Sequence, residues 1–287
     1  MQKITFMNFK GGVGKTTSVC TMAEMLGQVG YNVLIIDLDP QSNTSRVFGI
    51  QDDIEELNYE HLFLEKQNSK AEIERFILST EYKNVYMLPS SESLCDIIYK
   101  IYDKTKEPVN NTDERPELIF EKNLRLIEND FDYIFLDTSP FKTYLSYCSI
   151  LASDKVVTPI SLDNFSYEGV HKLINLIVDL NMQFQKNVEF GGVFLTKVKS
   201  KSSNLYTEMN SSYEQELDEA FIPIAIRDLI AVAEANTVFQ PLFSYNKKCA
   251  ALNDYIELMN YLDMLDNKHY KLLKKLLVGK STTKKQK

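Results

Sequence analysis

The chain has 287 residues, 44% of them hydrophobic and 25% charged, with a formal net charge of −8, enough to build the core of one α/β domain. No apolar run reaches the roughly 18 residues that a transmembrane helix needs, and Cys20, Cys95, Cys148 and Cys249 form no CxxC pair, which argues against a zinc or disulfide framework. The charge is segregated: the last twenty positions hold eight lysines and no acidic residue, so +8 there stands against −16 elsewhere, and any contact with DNA or an anionic membrane has to come from local patches.

The first residues lead directly into an apolar run, Ile4 to Met7, with no signal-peptide pattern, and a cytoplasmic location is expected. Further on, Val19, Met22, Ala23 and Leu26 have helical spacing. Between strand and helix lies Lys10-Gly11-Gly12-Val13-Gly14-Lys15-Thr16-Thr17. Glycines without a Cβ let such a loop turn its N–H groups inward around a polyphosphate, and the helix N-terminus adds partial positive charge. In this arrangement Lys15 lies against the β- and γ-phosphates, and the Thr16 hydroxyl is placed for Mg²⁺. The general GxxxxGK(S/T) pattern is not met at its first glycine, where Phe9 stands, and a second lysine, Lys10, precedes Lys15 by five positions.

The KGGVGKTT stretch resembles the deviant-Walker ATPases of the ParA/MinD group, whose signature is KGGxGK(S/T). The resemblance implies that Lys10 crosses a dimer interface to the partner's nucleotide. An arginine finger in that position is worth about 10³ to 10⁵ in rate. After a Gly30 C-cap, Val33-Leu34-Ile35-Ile36 reads as a strand buried on both faces, ending in Asp37-Leu38-Asp39-Pro40-Gln41. Both carboxylates project towards the phosphate loop if this strand adjoins the first. DLDPQ is similar to the ParA form of the motif, which implies that Asp39 positions or activates the attacking water and that Asp37 supports the Mg²⁺ shell.

Residues 52–80 are polar with helical spacing, and Val85 to Ser90 reads as a short strand and turn. Asp103 to Pro116 is poor in hydrophobic residues and reads as a surface loop. Tyr133-Ile134-Phe135-Leu136-Asp137 has the Walker B arrangement, with Asp137 expected to hold a water on Mg²⁺. Where the family commonly reads DxPP, this chain has Asp137-Thr138-Ser139-Pro140. Val156 to Ile160 is another strand, followed by a helix with Val170, Leu173, Ile174 and Ile177 on one face; Gly192 to Thr196 is a further strand.

In ParA-like proteins the end of that strand lies near the adenine, which implies a nucleotide contact at Thr196. It also implies sequence-independent DNA contacts from Lys197, Lys199 and Lys201. Phe221 to Ile226 resembles the family's last strand, with Arg227 as a basic residue after it, and Leu252, Tyr255, Ile256, Met259 and Leu262 mark a long amphipathic helix. In the tail, Leu272, Leu273, Leu276 and Leu277 share one helical face and Lys271, Lys274 and Lys275 the other. That pattern suits a helix docked on the domain, a DNA-backbone contact or an interfacial membrane helix.

The expected fold is a single doubly wound α/β domain, with a mostly parallel sheet and helices on both faces, over residues 1–267, and a basic tail at 268–287. The resemblance implies a ParA-like ATPase for plasmid or chromosome segregation. ATP and Mg²⁺ would favour a sandwich homodimer that binds DNA without sequence preference on the nucleoid, and a ParB-like partner would stimulate hydrolysis. The alternative is a MinD-like positioning ATPase held at the membrane by the C-terminal helix. Only Met1 to Lys3 precede the first strand, so no helix-turn-helix for operator binding is expected.

Overall fold

A computed structural model describes residues 1–50, 59–107, 115–162, 164–200 and 202–278. Eight strands form one sheet: β1 (Gln2–Phe6), β2 (Val33–Leu38), β3 (Leu78–Ser79), β4 (Val85–Leu88), β5 (Tyr133–Thr138), β6 (Lys155–Ser161), β7 (Glu189–Val198) and β8 (Phe221–Arg227). Their order is β3-β4-β2-β5-β1-β6-β7-β8. All pairings are parallel except β3 with β4, which are antiparallel at one edge.

Alternate residues of the central strands serve opposite faces, so both faces are buried. Val33, Ile35, Tyr133 and Phe135 join Val19, Met22 and Leu26 of the helix Lys15–Val29 and Leu252, Ile256 and Met259 of the helix Ala251–Tyr261. On the other face Leu34, Ile36, Ile134 and Leu136 pack with Phe63, Ile101, Phe120 and Leu124. A Cβ at Gly27 would lie 2.3 Å from the Lys83 carbonyl, so a glycine lets the helix Lys15–Val29 settle this closely on the sheet.

The chain leaves β1 towards β2, returns through β5 to the side of β1, and continues to β6 on its other side. The carboxyl ends of β1, β5 and β6 therefore flank the switch point where ligands bind in open parallel sheets. β5 separates β2 from β1, so the adjacency that would have aimed both Asp37 and Asp39 at the phosphate loop does not hold. In register across the three strands, Phe6 faces Asp137 and Asp137 faces Asp37.

Of the loop read from Asp103 to Pro116, positions 108–114 lie outside the described residues, and Pro116 opens the helix Pro116–Leu124. The last helix, Asn267–Val278, lies on the domain: Leu273 is fully buried and Leu277 packs beside it, while Leu272 and Leu276 stay partly exposed. Lys274 pairs with Glu257 at 2.6 Å, and the Tyr31 hydroxyl lies 2.9 Å from His269 Nδ1. Positions 279–287 of the tail lie outside the described residues, among which no helix is long and apolar enough to cross a membrane.

Candidate nucleotide-binding site

The loop after β1 is braced from below. Asn8 Nδ2 donates to the Pro159 carbonyl at 2.9 Å, and its Oδ1 accepts from the Lys10 N–H at 2.9 Å. Gly12 and Gly14 are left-handed, with φ of 72° and 88°, and Gly14 caps the helix Lys15–Val29. The Thr196 hydroxyl lies 2.7 Å from the Val13 carbonyl and 3.0 Å from that of Ile160. Thr196 is thus buried under the loop rather than in the cleft.

Lys15 is buried, and its Nζ donates to the carbonyls of Asn8 and Lys10, each at 3.2 Å. Burial lowers its pKa, with the charges of Asp137 and Asp39 opposing. An ammonium packed against loop carbonyls is poised to exchange them for an anionic ligand.

Asp137, at the end of β5, has a divided carboxylate. Oδ2 accepts from the Thr16 hydroxyl at 2.7 Å and from the Thr44 hydroxyl at 2.5 Å. Oδ1 is buried with no hydrogen-bond partner. A buried carboxylate oxygen normally finds a donor, so this atom has the character of a cation ligand. Burial raises the Asp137 pKa against the two hydroxyls, and Asp37 is likewise raised by burial and then by the Asp137 charge.

Asp37 has no such vacancy. Its Oδ2 accepts from Ser45 N at 2.9 Å and Ser45 Oγ at 2.8 Å, and Oδ1 accepts from Asp39 N at 3.1 Å. Ser45 Oγ also accepts from Ser90 N at 2.9 Å, and the Ser90 hydroxyl donates to the Asp39 carbonyl at 2.6 Å. Asp37 therefore anchors the turn that carries Asp39, tying it to the helix Asn43–Val47 and to the chain after β4.

Above the loop is a cleft of about 440 Å³, lined in part by Gly11, Gly12, Gly14, Lys15, Thr16, Thr17 and Asp39. Phe141, Lys197, Asn236 and Phe239 also line it. Of these, Phe141, Asn236 and Phe239 were not singled out from the sequence, nor were Thr44, Ser45 and Ser90. Thr44 and Ser45 follow DLDPQ within a few positions, which is the one local signal they carry, whereas Ser90 is brought there from the turn after β4.

The remaining basic residues are dispersed. Lys197 is exposed at φ 55° on the rim of the cleft, and Lys199 is exposed beyond it, whereas Lys201 lies outside the described residues. Lys271 and Lys275 are exposed. Arg227 does not present a free fork to DNA: Nε and Nη2 donate to the Asp254 carboxylate at 2.8 and 2.9 Å, and Nη2 donates to the Ala250 carbonyl at 2.8 Å.

Known proteins resemble this chain in sequence and in fold. The chromosome-partitioning ATPase Soj of Treponema pallidum (strain Nichols) is 26% identical over 255 residues, covering 89% of this chain and 94% of that protein. McdA of Cyanothece in complex with ATP matches with a TM-score of 0.78 at 17% identity, over 93% of this chain and 98% of the other. The septum site-determining protein MinD of Pyrococcus horikoshii OT3 with Mg-ADP gives 0.70 at 17% identity, over 93% and 98%. The profile of the AAA domain family AAA_31 matches residues 1–190, and with its phosphate loop at the switch point of a doubly wound sheet, the chain belongs to this family and is an ATPase of the ParA/MinD superfamily.

Proposed function

We propose that the chain is a ParA-like partition ATPase in which an ATP-bound homodimer holds DNA without sequence preference and a ParB-like partner triggers hydrolysis. The observation that carries the catalytic part is the unpartnered, buried Asp137 Oδ1 beside the Thr16 hydroxyl, since that donor set fits Mg²⁺. Thr16 and Asp137 would hold the ion, directly or through water, and when bound it would offset charge on the transferred phosphoryl group. Lys15 leaves the carbonyls of Asn8 and Lys10 for the β- and γ-phosphates, while the N–H groups of Gly11 to Thr17 surround the chain of phosphates. Asp39 orients the water that attacks the terminal phosphorus; the phosphorus–oxygen bond to ADP breaks, and phosphate leaves. Asp37 supports this site through the Asp39 turn and Ser45. Lys10 reaches the nucleotide of the second copy.

Lys197, Lys199, Lys201, Lys271 and Lys275 supply the DNA contacts, joined by Lys274 where DNA displaces its pairing with Glu257, while Arg227 stays with Asp254. A ParA-like role also implies residence on the nucleoid. Burial of Leu273 and the packing of Leu277 use part of the apolar face that a membrane anchor requires, and this favours the partition reading over the MinD-like one. The test is fluorescence anisotropy of random-sequence duplex DNA with Asp39→Ala protein, in Mg²⁺ with ATP, ADP or no nucleotide. Binding with ATP alone is expected, falling by roughly 0.9 log units per log unit of salt for each phosphate contacted. Absence of binding in every state refutes the DNA role.

A further inference from the structure

The helix Ile230–Thr237 closes with a Schellman motif, in which Phe239 N donates to the Asn236 carbonyl at 3.3 Å and Gln240 N to that of Ala235 at 3.0 Å. The residue after the cap must then be left-handed, a position that suits glycine because a Cβ is crowded there. The helix Lys15–Val29 closes in the same way, with Gly30 at φ 112°. At the corresponding place Phe239 has φ 51°. The other non-glycine residues with positive φ among those described are Ser42, Asn84, Gln185, Lys197, Asp218 and Asp263, all polar.

Phe239 is also 45% exposed, unusual for a large apolar residue. A strained backbone and an exposed apolar residue both count against folding, and strain of this kind concentrates at ligand sites. Phe239 lines the cleft together with Thr17, Asn236 and Lys197. Asn236 Nδ2 lies 3.2 Å from the Thr17 hydroxyl, which fastens this wall to the first turn of the phosphate-loop helix. Lys15 and Asp39 mark the end of the cleft for the terminal phosphates, so the nucleoside falls towards Thr17 and the Phe239 wall.

We infer that Phe239 is the stacking platform for the base of the bound nucleotide, held in place by the contact between Asn236 and Thr17. The inference rests on the proposed use of the cleft for ATP. Aromatic stacking is tolerant of base identity because every base offers a π-face, so the platform contributes affinity more than choice among purines.

The test compares the full chain with Phe239→Gly and Phe239→Tyr by calorimetric titration with ATP and with inorganic tripolyphosphate, each with Mg²⁺, and by thermal melts without ligand. Phe239→Gly should melt higher than the wild type, because glycine relieves the left-handed position, yet bind ATP about 10- to 100-fold more weakly. Its affinity for tripolyphosphate should be unchanged, and Phe239→Tyr should retain ATP affinity. Unaltered ATP binding by Phe239→Gly, or an equal loss for ATP and tripolyphosphate, overturns the platform. A wild-type chain that binds neither ligand refutes the nucleotide cleft itself, and the platform with it.

Discussion

Glu24 lies in the middle of the phosphate-loop helix and is fully buried. Ser244 N donates to its Oε2 at 3.1 Å, and the Ser244 hydroxyl donates to Oε1. Burial pushes the carboxyl from its ordinary 4.5 up to about 7, against the two Ser244 bonds and the Lys247 charge; Cys20 and Tyr82 are the other titratable groups that feel it. Below pH 4.5 the group is neutral in both folded and unfolded chains and costs nothing. As pH rises from 4.5 to 7, the unfolded chain releases this proton first, so stability falls; above pH 7 the loss is complete. The size of the loss is roughly 3 kcal/mol. Glu24→Gln cannot ionise, so its stability relative to the wild type should rise by that amount between about pH 4.5 and 7.5. At a few degrees per kcal/mol, the gap in Tm should widen by on the order of 5 to 10 °C. The buried Asp37 and Asp137 titrate in both proteins and largely cancel in the difference. Thermal melts by circular dichroism in half-unit pH steps measure it directly. A gap that stays constant across this range, or narrows, refutes the assignment of a buried, destabilising carboxylate to Glu24.

Lys15→Met should raise the melting temperature of the nucleotide-free chain by about 2 °C, because it removes a desolvated cation. The same variant should lose the stabilisation that ATP and Mg²⁺ confer, and one scanning-fluorimetry plate reads both effects. Arg227→Ala should cost about 3 kcal/mol in urea denaturation by stranding the largely buried Asp254 carboxylate. Its DNA salt slope should stay unchanged, while Lys199→Ala should make that slope shallower by about 1. Leu273→Ala should cost about 2 to 5 kcal/mol, whereas Leu272→Ser, on the exposed margin of the same helix, should stay within about 0.5 kcal/mol.

The fold was legible because its signals are local. Ile4 to Met7, Val33 to Ile36 and Tyr133 to Leu136 are apolar runs of strand length, each ending at a glycine loop or a carboxylate. Strand order was not, since a run of residues does not name its neighbour, and the insertion of β5 between β1 and β2 sets Asp37 apart from the phosphate loop. Within the site, Lys10 to Thr17 follow β1, Asp39 follows β2 and Asp137 lies at the end of β5, so their positions along the chain could be read from the strands that precede them. Thr44, Ser45 and Ser90 gain their meaning from hydrogen bonds spanning 93, 8 and 45 positions, and a hydroxyl in a polar stretch gives no sign of that. The leucines of the last helix were visible as one stripe, but which edge of the stripe is buried depends on the helix Ala251–Tyr261 beneath it.

The helix Lys15–Val29 has fifteen residues and is therefore a rod about 22 Å long. Its first turn forms the floor of the nucleotide cleft. Just past its last turn, the Tyr31 ring lies tilted against His269 of the C-terminal helix, with ring centroids 4.5 Å apart. One stiff member thus runs from the candidate nucleotide cleft at one end to the lysine-bearing helix at the other. If ATP fills the cleft as proposed, any tilt of that rod would be passed on beneath Lys271 and Lys275, with no separate lever arm between the two ends.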